Sequence, residues 1–73
     1  MMEIEIHYCQ EWDYKPDAAS LAEELRDHFG VEAELVPGSN GIFDIIVDGK
    51  VVFSKYKAGR FPNHGEIPSK LKW

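Results

Sequence analysis

The stretch IHYCQEWDYKP, residues 6–16, places the single cysteine of the chain, Cys9, where an apolar run gives way to polar residues and then to a proline. A thiol there can serve as a nucleophile or redox group, provided that its surroundings favour the thiolate. Position 12, where a Cys-x-x-Cys protein carries its second sulfur, holds Trp12. A lone thiolate can attack a disulfide and form a mixed disulfide, but a thiol from another molecule must then resolve it. The chemistry expected of Cys9 is therefore at most monothiol exchange, with glutathione or a protein thiol or disulfide as partner, and whether the chain is an enzyme stays open. The competing reading is a buried cysteine that packs as a small apolar residue.

The neighbours of Cys9 pull in opposite directions. A helix N-terminus shortly after it would favour the thiolate by roughly 0.3–1 kcal/mol. Glu11 and Asp13 oppose that charge and Lys15 supports it, so the expected nucleophile is a modest one. Trp12 has two readings: an aromatic at a loop tip that anchors a partner, or a ring folded over the helix or over Cys9. Tyr8, Tyr14 and Lys15 flank it and complete the candidate binding set. His7 and Cys9, two apart on a strand, could point the same way, but two ligands do not make a metal site, and neither a metal nor a cofactor is expected.

Composition narrows the classes. With 44% hydrophobic and 29% charged residues the chain reads as one ordinary globular domain, residues 1–73. No apolar stretch reaches the roughly 18–20 residues that span a bilayer, and the start MMEIEIHY lacks the basic end and apolar core of a secretory signal. Together with a lone cysteine, this gives the expectation of a cytoplasmic protein with a free thiol and no membrane partner. Charge is divided unevenly. Residues 1–49 hold twelve of the thirteen carboxylates against Lys15 and Arg26, for a net −10, whereas residues 50–73 set six Lys and Arg against Glu66, for +5. Such a basic end could suit a phosphate surface, but no nucleic-acid motif accompanies it, and nucleic acid is not the expected partner.

The elements that would position Cys9 follow from the apolar spacing. Met2, Ile4, Ile6 and Tyr8 alternate with Glu3, Glu5 and His7, as in a strand with one apolar and one wet face. From Pro16 to Phe29, Ala18, Leu21, Ala22, Leu25 and Phe29 keep the spacing of a one-sided helix, with Pro16 in its first turn and Gly30 as its left-handed stop. VEAELV (31–36) alternates again, and PGSNG (37–41) reads as a loop. IFDIIV and KVVFSK, joined by Asp48-Gly49, predict a hairpin, with Phe43, Ile45, Val47, Val51 and Phe53 in the core. Beyond Lys55 the text is irregular, and Ile67 and Leu71 suggest only a short final helix. The order β-α-β-β-β with a last short helix gives a two-layer α/β domain. The helix crosses over right-handed between two parallel strands. One face of the four-stranded mixed sheet is left solvated or free to meet a partner, a homodimer included.

These segments carry a resemblance. YCQEWDYKPDAASLAEELRDHFG (8–30) resembles the opening of the selenoprotein W-like (Rdx) family, in which Tyr-Cys-x-x-Cys or Tyr-Cys-x-x-selenocysteine precedes the first helix. GIFDIIVDGKVVFSK (41–55) is similar to that family's Gly-x-Phe-Glu-Val-x-Val-x-Gly-x-Leu-Ile-x-Ser-Lys segment, and GRFP (59–62) to its Gly-x-Phe-Pro. The resemblance spans residues 4–67 and implies a thioredoxin-like βαβββ(α) domain with a role in thiol redox balance. Cys9 matches the first redox position and Trp12 occupies the second. The sequence therefore leads to a thiol redox protein reduced to one sulfur. The alternative is a non-enzymatic interaction module that uses the Cys9–Trp12 loop and the open sheet face.

Overall fold

The computed structural model describes residues 2–71. Strand β1 (Ile4–Cys9) leads into helix α1 (Lys15–Phe29). Strands β2 (Glu34–Gly38), β3 (Phe43–Val47) and β4 (Lys50–Ser54) follow, then the single turn α2 (Lys55–Ala58) and the short helix α3 (Glu66–Leu71). The sheet order is β2-β1-β3-β4, with β1 and β2 parallel and the other neighbours antiparallel. This is the expected two-layer arrangement, since only a helical crossover joins the adjacent parallel strands.

Alternation along β1 sends Ile4, Ile6 and Tyr8 to the face covered by helices, where they meet Ile45 and Phe43 of β3 and Ala18, Leu21 and Leu25 of α1. Ile67 and Leu71 of α3 complete that core. α1 ends as predicted, with Gly30 at φ 68° and its N–H donating to the Arg26 carbonyl at 2.8 Å. Asp48 and Gly49 take φ values of 51° and 83°, which gives the β3–β4 hairpin its primed turn.

Three local expectations need correction. β2 begins three residues later than the alternation of VEAELV suggests and runs through Pro37. An edge strand tolerates proline because the missing N–H faces away from the ladder. Val51 is not core but 53% exposed. The register shifts between Ile45 and Ile46, so Ile45 faces Phe53 while Ile46 faces Val51, and the extra residue Val52 turns Val51 to the other side of the sheet. The text after Lys55 is also less irregular than it reads. α2 closes on Gly59 at φ 74°, whose N–H donates to the Lys55 carbonyl.

Among the described residues no helix covers the second sheet face. There Glu5 Oε1 lies 2.7 Å from His7 Nε2, and His7 stands opposite Asp44 in the β1–β3 register. Asp44 Oδ1 is buried without a hydrogen-bond partner. Among the described residues no helix is long and apolar enough to cross a membrane.

Candidate functional site

β1 delivers Cys9 to its carboxyl end, as expected, but the thiol is not at an accessible rim. Cys9 is 0% exposed, so monothiol exchange, which needs the sulfur open to another molecule, meets a closed site, while the competing reading of a buried, packing cysteine fits the structure. The cause is the loop that follows. The Gln10 N–H donates to the Gly38 carbonyl at 3.0 Å, which prolongs the β1–β2 ladder past Cys9. The chain then turns tightly. Asp13 adopts φ 58° and donates its N–H to the Gln10 carbonyl at 3.2 Å, and the Tyr14 N–H returns to the Cys9 carbonyl at 3.1 Å. Inside this turn the Trp12 N–H donates to Cys9 Sγ at 3.3 Å. The loop thus closes over the sulfur and gives it one polar contact.

Position 12 is the opposite of position 9. The Trp12 side chain is 59% exposed, yet held from several sides. Its six-membered ring rests on Gly41, where an added Cβ would stand 2.5 Å from a ring carbon. Tyr14 meets it edge-on at 6.0 Å between centroids. Tyr14 in turn packs edge-on against Phe61 at 4.8 Å, and Phe61 against Phe43 at 5.1 Å, so an aromatic ladder ties the loop to the core. Lys55 Nζ stands 5.7 Å from the Tyr14 ring centre and 5.5 Å from that of Phe61. Tyr56, 60% exposed, donates its hydroxyl to the Asn40 carbonyl beside Gly41. Two exposed aromatic rings therefore flank the Asn40-Gly41 corner.

Of the sequence-predicted set, Cys9, Trp12 and Tyr14 come together, Tyr8 is buried on the helix-covered face, and Lys15 is exposed at the start of α1. The cation beside the aromatic ladder is Lys55. Gly41, Tyr56, Phe61 and Lys55 were not among the site residues expected from the sequence. Only the Asn40-Gly41 pair, a turn signal with both residues at positive φ, marked that corner. His7 pairs with Glu5 rather than with Cys9, and among the described residues no group of three or more His, Cys, Asp or Glu side chains could hold a metal ion.

A helix-backed mixed sheet with a Cys-x-x-Trp turn at the carboxyl end of β1 defines a thioredoxin-like α/β domain of the selenoprotein W-related type. The sequence matches the Rdx family over residues 3–72, and the chain belongs to that family. It is similar to the selenoprotein W-related protein from Vibrio cholerae. The TM-score is 0.90 and the identity 27%, over 96% of this chain and 91% of that one. A protein from Bordetella parapertussis superposes with a TM-score of 0.91 and 32% identity, over 96% and 92%. Among curated proteins it resembles migration and invasion enhancer 1. The bovine protein is 32% identical over 88% of this chain and the mouse protein 29% over 94%. The chain spans only 56% and 61% of those relatives' lengths.

Proposed function

We propose that this chain is a protein-binding module on the Rdx scaffold, in which the Trp12 indole meets the partner at the place where a redox pair would act. The observation that carries the reading is the inversion within Cys-x-x-Trp: the sulfur is 0% exposed and the residue three positions on is 59% exposed. Trp and Tyr dominate binding hot spots because they add large contact area with few rotatable bonds. A ring already fixed on Gly41 loses little further freedom on binding, which is the physical meaning of a preorganised anchor. The test is quantitative affinity capture from the protein's own cell extract with the wild type, Trp12→Ser and Val51→Ser. Partners lost only with Trp12→Ser support the reading, because Val51 is equally exposed but lies on β4. An identical partner set for all three rejects it.

A second reading is thiol exchange at Cys9, whose sulfur sits at the carboxyl end of β1 and accepts a hydrogen bond from the Trp12 N–H. In this reading the loop Gln10–Tyr14 opens and Cys9 thiolate attacks one sulfur of oxidised glutathione or of a protein disulfide. The S–S bond breaks, the second sulfur leaves as thiolate, and a thiol from outside the chain later releases the mixed disulfide. Prompt formation of a glutathione adduct by the folded protein at neutral pH would place this reading first. Adduct formation only after unfolding removes it.

A further inference from the structure

Beside the aromatic ladder, α1 and the Phe61–His64 segment line a half-open cavity of about 150 Å³. Its apolar lining comes from Leu21, Phe43 and Phe61, and its acidic wall from Asp17 and Glu24, two turns apart on the same helix face. Glu24 is the unusual member. Its side chain is only 9% exposed, with Oε2 accepting the Gly65 N–H at 2.5 Å and lying 3.3 Å from Nδ1 of His64, a residue 92% exposed at the mouth. Among the described residues no Lys or Arg pairs with it, so a largely buried carboxylate faces the cavity without a permanent counter-charge. Only the Gly65 N–H and the exposed His64 ring meet the carboxylate, and a cation that enters the same space can pair with it through charge-assisted hydrogen bonds.

We infer that this cavity binds the side chain of an arginine presented by a partner. A guanidinium suits both walls at once: its edge forks to carboxylates, and its face stacks on a phenyl ring, which a compact ammonium does less well. The chain itself shows the same pairing elsewhere, where Arg60 forks to Glu66 and lies 5.6 Å over the Phe53 ring centre. The inference goes beyond the Trp12 reading and does not depend on it. The two sites are joined only through Tyr14 and Phe61.

The test is a titration of the full chain with N-acetyl-arginine N-methylamide, followed by amide NMR shifts. Saturable shifts are expected at Leu21, Phe61 and His64, with a Kd in the millimolar range typical of a single side chain, and no saturation with the neutral norleucine analogue. Asp17→Asn should weaken binding severalfold without touching the core, and Trp12→Ser should leave it unchanged. Glu24→Gln should abolish binding, the Gly65 amide shift reporting whether the local fold persists. Non-saturating shifts, or equal binding of the norleucine analogue, overturn the inference. Equal binding of the lysine analogue overturns the assignment to a guanidinium. If arginine binds but Trp12→Ser retains every captured partner, the cavity stands and the Trp12 reading fails.

Discussion

The two ends of β1 are closed by turns of opposite kind. At the amino end the Asp48-Gly49 turn takes its shape from its own two residues and is fastened across the sheet to Glu3. Asp48 Oδ1 accepts the Glu3 N–H at 2.9 Å, the Asp48 N–H returns to the Glu3 carbonyl at 2.8 Å, and open space surrounds Gly49. At the carboxyl end the Gln10–Tyr14 turn also forces an aspartate to positive φ, Asp13, but it is held by residues far away in sequence: Gly38, Gly41, and, through Tyr14, Phe61. The hairpin turn owes its conformation to local chemistry, with Glu3 as its contact across the sheet, and carries no site. The loop is built from distant contacts, and they fix which of its residues faces out.

The largest test of this contrast compares two glycines. Gly41→Ala should cost about 2–4 kcal/mol. The left-handed backbone penalises any L side chain by about 1–2 kcal/mol, and the new methyl group also drives the Trp12 ring from its seat. Gly49→Ala, at φ 83° with nothing within 4 Å, should cost only the first part. Urea unfolding of both variants checks this. In a Trp12→Ser background the difference between them should vanish, as coupling through a shared contact requires. Equal losses at the two glycines would show that Trp12 does not rest on Gly41 in solution.

Next in size is the shielding of Cys9. A thiol with 0% exposure under a hydrogen-bonded turn is expected to react with iodoacetamide roughly a hundredfold more slowly in the folded chain than in urea, an opening free energy of about 2.7 kcal/mol. Trp12→Pro, which removes the N–H on Sγ, should raise the native rate towards the unfolded one. An equal rate in both states contradicts a closed loop and returns the monothiol reading to first place.

The same contrast explains what could be read from the sequence. The period of α1, its stop at Gly30 and the Asp48-Gly49 hairpin are encoded within a few residues, so spacing and turn chemistry revealed them. Cys9 at the end of β1 was legible because the alternation of Ile4, Ile6 and Tyr8 ends there. Its burial was not, since that depends on a turn whose partners lie about thirty residues away, at Gly38 and Gly41. Val51 was misplaced for a related reason: a bulge leaves no trace in alternation and reverses every face beyond it. Phe61 and Lys55 joined the site through the sheet and the α2 turn, which no local pattern could announce.

A smaller effect is expected from Asp48→Ala, which removes the acceptor of the Glu3 N–H on an exposed hairpin and should cost about 1 kcal/mol in thermal or urea unfolding. The alkylation rate of Cys9 should not change, because the two turns sit at opposite ends of the sheet. A faster rate in Asp48→Ala would mean that the two turns are coupled along β1.

The smallest expected effect concerns the segment that holds Phe61 beneath Tyr14. Glu66 is lowered from an ordinary 4.5 to about 2, chiefly by the paired hydrogen bonds from Arg60 at 2.7 and 2.9 Å and next by the Asn63 N–H at 2.9 Å. Because the folded value lies below the unfolded one, the stabilisation is fully present above pH 4.5 and is lost as the pH falls towards 2. The pair is exposed to solvent, so the loss is small and shrinks further in salt. Wild type and Glu66→Gln should therefore differ in urea midpoint at neutral pH and converge in acid, with the Phe61 ring resonances broadening over the same interval. If the difference persists unchanged to pH 2, the carboxylate is not what fastens this segment, and support for the Trp12 loop through Phe61 must come from Phe43 and Tyr14 alone.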